Sequence, residues 1–361
     1  MFKNGDSEAK ARWSEMITGA RVDPPLDILR HMYQAGVTES MLEHLCLHRH
    51  RKCGIDKDRI FALRGLCTES ERTSISVDYD LTVDKIFLKY TRRSISRTGS
   101  LNILGTCLPL ERMHPLLPSW VTDWSNSEAR CPIETFATVH TSLTKKISSK
   151  PYAVLPGTTA HIHEMEGDME HVLATNGYRA QTLSHASSNR PDTVPYLISG
   201  SMLGSIMNDF WKVAQNLTAA QGIDWLTTDT TVSGPNEHLV NAFWRTMIAD
   251  RDRLGQRDSD PGPGQGSAYW SVVSQSIHGR KFFVTEEGDM GLGPYDVQQG
   301  DHICVLRGAE VPFVLRSDSE HQTQTSIDAL AYTLVGECYC HTLMENVDVK
   351  KLGNLQRFEI W

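Results

Sequence analysis

The chain has 361 residues, enough for one large domain or two modest ones, and its 40% hydrophobic and 22% charged residues exclude wholesale disorder. A formal net charge of −8, with acids and bases interspersed, excludes the basic stripe of a nucleic-acid surface or of an anionic-membrane surface. The charged N-terminus lacks the apolar core of a secretory signal, and no stretch approaches the roughly 20 apolar residues of a membrane span. A cytoplasmic chain without a transmembrane segment is therefore expected, its 8 cysteines remaining thiols.

Residues 25–47 carry apolar positions at helical spacing, broken by Gly36, and predict two short helices, with Thr38-Glu39-Ser40 able to restart the second. The histidine-rich run 44–53 reads as a solvated basic turn. A short helical segment follows over 57–66. The clearest helix spans 82–98: Thr82 can cap it, Asp84 suits the positive end of the dipole, and Val83, Ile86, Phe87, Tyr90 and Ile95 draw a buried face.

From 100 to 150 the prolines predict irregular chain hugging a surface. Residues 152–187 read as strands, with Asn176-Gly177 as a hairpin signal. Helices are expected at 201–221 and 236–251, and 255–267 has the composition of a flexible loop. Four short β-branched and aromatic runs follow, at 281–285, 302–306, 312–316 and 331–339, separated by glycines. Their spacing suits a small barrel or curled sheet. The predicted fold is α+β: a helical layer packed on a small, mainly antiparallel β-barrel or curled sheet. Residues 1–150 form the mainly helical region and 151–361 the barrel-like one, as a single compact unit.

The candidate chemistry is sparse. Trp120, Asp123 and Trp124 lie in the proline-rich stretch; the indoles either plug the joint between helices and barrel, with Asp123 capping backbone, or wall an apolar pocket. Arg245, beside Trp244, and Arg179 either pair with an acid such as Asp250 or Asp123, or act as fixed donors to a substrate carbonyl or carboxylate. His161 and His163 share a strand face, Cys338, Cys340 and His341 cluster, and His302 and Cys304 lie on a nearby candidate strand. No Cys-x-x-Cys pair supports zinc, so no metal is expected. Phosphate-binding, dinucleotide-binding, serine-elbow and His-Glu-x-x-His motifs are missing, which implies no cofactor.

Several segments, in order, resemble the region that follows the N-terminal module of fungal heterokaryon-incompatibility (HET) proteins. They are Asp58 to Leu66, Val77-Asp78-Tyr79, the helix at 82–95, Leu117 to Ser125, Phe243 to Thr246, Gly291 to Pro294, Gly300-Asp301, Pro312 to Arg316 and Leu334 to Tyr339. Together they span residues 50–345. Cys340 departs from the pattern, standing where a small or apolar residue is expected. The aromatic-Trp-Gly signature of the family's N-terminal module does not occur, so that module's chemistry is not implied. Some truncated HET-like proteins accompany fungal terpenoid and polyketide pathways. The resemblance thus implies a cofactor-independent cyclase of the Diels–Alder type, a pericyclase acting on an apolar small-molecule substrate that bears a carbonyl or carboxylate. The alternative is a non-catalytic interaction or regulatory protein. On the first reading Arg245 and Arg179 are catalytic, Trp120, Trp124, Trp244 and Tyr332 bind substrate, and Trp120, Trp124, Arg179 and Arg245 converge on one cavity.

Overall fold

The computed structural model describes residues 40–107, 112–126, 152–162, 169–188, 200–217, 237–252, 262, 267–322, 329–344 and 347–361. The helix expected before Gly36, His163, Cys131 and nearly all of the 255–267 loop lie outside them.

The helical layer begins with α1 (Met41–His48). The Ser40 hydroxyl accepts from the Glu43 amide and the Glu43 carboxylate accepts from the Ser40 amide, so two orphan donors are satisfied reciprocally. Then come α2 (Asp58–Phe61), a 3-10 turn (Leu63–Leu66), α3 (Glu69–Ser74) and α4 (Val83–Thr98). Thr82 caps α4 through the Lys85 amide, and Gly99 ends it at φ +64°, where a side chain would be strained. Its buried face holds Ile86, Phe87, Tyr90 and Ile95, as the periodicity predicts.

Only the second half of the histidine-rich run is a turn: its first half closes α1, and His44, His48 and Arg49 are buried. Arg49 is held by three backbone carbonyls: Nη1 donates to Thr106 O at 2.8 Å, Nε to Asn126 O at 3.0 Å and Nη2 to Asp123 O at 3.2 Å. A buried cation without a carboxylate partner needs such a cage, and the cage fastens the Trp-containing strap (112–126) to α1.

The C-terminal half is an 8-stranded sheet, 5 strands of which close into a ring. The ring consists of β1 (Leu173–Ala186), β4 (His302–Leu306), β5 (Phe313–Ser317), β6 (Ala329–Glu337) and β8 (Gln356–Ile360). All its pairings are antiparallel except β6 with β8. Leu173, Cys304, Leu315, Tyr332 and Phe358, one from each strand, belong to a single apolar cluster, which marks the face turned into the ring.

Asn176-Gly177 does not turn the chain. Both residues lie inside the 14-residue β1, paired with β8. A Cβ on Gly177 would stand 2.6 Å from the Val305 carbonyl oxygen, so the glycine serves close strand approach instead. Residues 152–162 contain no strand beyond a bridge at Ala153, so His161 does not sit on the expected strand face.

Past a bulge at Leu183/His185, β1 leaves the ring and pairs with β2 (Arg280–Thr285), which continues to β3 (Met290–Pro294) and β7 (Tyr339–Cys340). On this part of the sheet pack α5 (Gly200–Leu217), α6 (Glu237–Met247) and α7 (Ser267–Ile277). Two apolar cores result. One joins the first helices, the strap and the ring interior; the other joins the last three helices to β2 and β3. The buried Arg280–Glu337 ion pair, at 3.0 Å, ties β2 to β6 across the junction. No helix among the described residues is long and apolar enough to cross a membrane.

Candidate functional site at the barrel mouth

The helical layer covers one end of the ring. The Leu101 amide donates to Gly308 O at 2.8 Å, the Ser119 amide to Trp361 O at 2.9 Å and the Trp120 indole to His171 O at 2.8 Å. All three acceptors flank strand ends. Polar side chains also gather along β1, β4, β5 and β6, and two of the expected site residues approach each other there. The Arg179 guanidinium lies close enough to the Tyr332 phenol to act on its ionisation, lowering it against the effect of burial. Arg179 itself is exposed, while Tyr332 is buried.

Register accounts for the meeting. Arg179 faces Cys304 across β1–β4, and Tyr332 faces Ser317 across β5–β6. A bulge between Arg179 and Gln181 twists β1 at this rim. His302 joins them, its Nε2 3.2 Å from Ser317 Oγ and its Nδ1 3.4 Å from Thr182 Oγ1, with its ring 6.2 Å from that of Tyr332.

Burial, partly offset by Arg179, pushes the Tyr332 phenol up to about 12, so it remains a protonated donor. Burial and then the Arg179 charge hold the His302 imidazole below its usual range, so it is neutral near pH 7. Burial also raises the Cys304 thiol beneath them. The mouth therefore offers one fixed cation and neutral hydrogen-bonding groups over an apolar interior. The carboxylates of Asp301 and Glu286 are near enough to His302 to oppose its shift.

The remaining expected residues lie elsewhere. Trp120 and Trp124 are buried in the same core as Tyr332, at the covered end of the ring. Arg49 stacks 5.3 Å over the Trp124 ring, and Asp123 caps backbone as expected, accepting from the His114 and Ser125 amides at 3.0 and 2.9 Å. Trp244 lies in the second core, edge-on to Phe243 and Tyr269. Arg245 pairs with Asp250 at 2.5 Å and donates to Asn241 Oδ1 at 2.7 Å. Ala249 and Asp250, both in the left-handed region at φ +48° and +54°, form the corner that aims this carboxylate back at α6. The expected convergence of Trp120, Trp124, Arg179 and Arg245 on one cavity does not occur, because the tryptophans and Arg245 belong to different cores. Among the described residues no three His, Cys, Asp or Glu side chains are grouped to hold a metal ion.

Sequence reasoning missed Thr182 and Ser317, which have no local signature. His302 was visible only as a metal candidate.

The geometry can now be set beside known proteins. Residues 262–352 match the Het-6 beta-barrel domain. The matched stretch contains β2 to β7, while β1 and β8, which complete the ring, lie outside it. The chain is also similar to heterokaryon incompatibility protein 6, OR allele, of Neurospora crassa, at 33% identity over 69 residues, 19% of this chain and 9% of that protein. The chain thus matches less than a tenth of that HET protein's length. No solved structure matches.

Proposed function

We propose that this HET-related chain is a cofactor-independent cyclase, a pericyclase of the intramolecular Diels–Alder type, acting on an apolar fungal terpenoid or polyketide intermediate at the barrel mouth. The nearest activity suggested by the resemblance is formation of a norbornene in a sordarin-type diterpene pathway. The carrying observation is the Arg179–Tyr332 pair: an exposed guanidinium beside a buried phenol on an apolar ring.

The chemistry asks for no more than this. A [4+2] cyclisation turns three π bonds into two σ bonds and one π bond, with no proton, electron or leaving group to place. Catalysis then consists of folding the substrate and stabilising charge that develops on a carbonyl conjugated to the alkene. Arg179 donates to that oxygen. Tyr332, beside Arg179, keeps its own proton for a second bond. Neutral His302 adds no competing charge.

The test is cyclisation of a tethered cyclopentadiene–enal by the purified protein. Because Arg179 is exposed, Arg179→Ala should leave folding intact and slow cyclisation by about 10–100-fold, the worth of one charge-assisted hydrogen bond. A folded variant with unchanged rate removes the mouth as the site.

A second reading, a non-catalytic interaction or regulatory protein of the HET family, is favoured by Met113 and Leu116, 68% and 84% exposed on the strap. Replacing both with glutamate would abolish partner capture on that reading and leave cyclisation untouched on the first.

A further inference from the structure

Away from the barrel, a cavity of about 200 Å³ opens between α1, α3, the end of α4 and the 3-10 turn Asn102–Thr106. Its polar wall is unusual. Glu71 is buried and fully engaged: Oε1 accepts from Arg97 Nη2 at 2.5 Å, and Oε2 accepts from the Met41 amide at 3.1 Å and from the Thr68 hydroxyl at 3.3 Å. This carboxylate fixes the Arg97 guanidinium at the cavity edge. The Nε and Nη1 of Arg97 have no partner among the described residues, although the side chain is only 36% exposed. Beside Glu71, on the neighbouring amide at the start of α1, stands Glu43, one carboxylate oxygen of which accepts from the Ser40 amide at 2.6 Å while no partner of the other occurs among the described residues. Ser94 and Ser100 add hydroxyls, and Leu42 and Ile103 add apolar surface to the lining.

The geometry points to a binding site for a free α-amino acid with an aliphatic side chain. Its carboxylate would take the open edge of the Arg97 fork, its ammonium the free oxygen of Glu43, and its side chain the surface of Leu42 and Ile103. Charge favours a zwitterion over a simple anion. Glu71 already cancels Arg97, and Glu43 leaves the cavity with one net negative charge, which a bare carboxylate would have to oppose. The size agrees, since 200 Å³ is below the range of drug-sized pockets. The site shares no residue with the barrel mouth, so the two proposals stand or fall separately.

Isothermal titration calorimetry of the full chain with L-leucine tests it. Saturable binding is expected, weakened at least tenfold in Arg97→Lys, which keeps the charge beside Glu71 and hence the fold but loses the fork. Ser94→Leu, which fills the cavity without touching either charge, should abolish binding while leaving the melting temperature within a few degrees. Isovalerate, which lacks the amine, and leucinol, which lacks the carboxylate, should each bind at least tenfold more weakly than leucine. Absence of leucine binding overturns the proposal, as does equal binding of isovalerate or unchanged binding in both folded variants.

Discussion

At the scale of single residues, two arginines of similar sequence setting have opposite fates. Arg245 is 16% exposed and bonded to Asp250, which is 9% exposed. Removing the guanidinium takes the charge partner at 2.5 Å from a buried carboxylate at a corner of two left-handed residues. Arg245→Ala should therefore cost about 3 kcal/mol, the low end for a broken buried pair, read as a shifted denaturation midpoint. On the proposed function Arg179 is the group that meets substrate, because it is exposed, and its field can be read at a neighbour. Burial is the larger cause of the depressed His302 pKa and Arg179 the smaller, while Asp301 and Glu286 pull the other way. Arg179→Ala should raise the His302 pKa without restoring it to the ordinary value, measurable by NMR titration of the imidazole. The stability linked to this histidine is fully present above its unfolded pKa. It is lost as the pH falls through the depressed folded value, because the unfolded chain then binds the proton more readily. Tyr332 works at the other end of the scale. Its raised phenol contributes stability that is intact below the usual tyrosine range and lost as the pH rises toward about 12.

At the scale of elements, Gly177 decides whether β1 can close the ring. An added Cβ would meet Val305 O at 2.6 Å and Leu306 Cδ2 at 2.8 Å, and the first of these is backbone that cannot move aside. Gly177→Ala should destabilise by about 1–3 kcal/mol in urea melts, as overpacking does. The same residue shows what the sequence conceals. Asn-Gly is a strong local hairpin signal, but the need for close approach to β4 comes from a partner more than 120 residues away. Elements with a strong one-dimensional pattern were legible: α4 from its capped apolar stripe, and β2, β4, β5 and β6 from β-branched and aromatic runs. Those set by partners were not. β3 reads Met-Gly-Leu-Gly-Pro, poor strand material, yet its glycines leave room for the Phe283 ring, which lies 2.2 Å from where a Cβ of Gly291 would stand. β8 carries Arg357 and Glu359, which look like surface charges but pair at 3.1 Å with Glu359 fully buried. The site divides in the same way. Arg179 and Tyr332 were nameable as residue types able to bind a carbonyl, but their meeting depends on the register of two strand pairs. Thr182 and Ser317 matter only through that register.

At the scale of the whole molecule, the helical layer and the barrel share one core instead of each closing its own. Trp120 is fully buried at their joint, Trp124 lies beside it under the caged Arg49, and the same cluster runs into the ring through Tyr332 and Phe358. A structure built this way should unfold as a unit, because neither layer keeps a closed apolar interior without the other. Trp120→Ala tests this at the joint. It leaves a large cavity and strands the His171 carbonyl, at a cost of about 3–5 kcal/mol. The expected result is one cooperative transition at lower temperature, with loss of helical signal and loss of amide protection on β6 and β8 coinciding. The second core should follow in the same transition, because β1 runs through both sheets and the Arg280–Glu337 pair crosses between them. If hydrogen exchange instead shows α4 opening while β6 and β8 stay protected, the barrel is an independent unit and the helical layer an attachment to it.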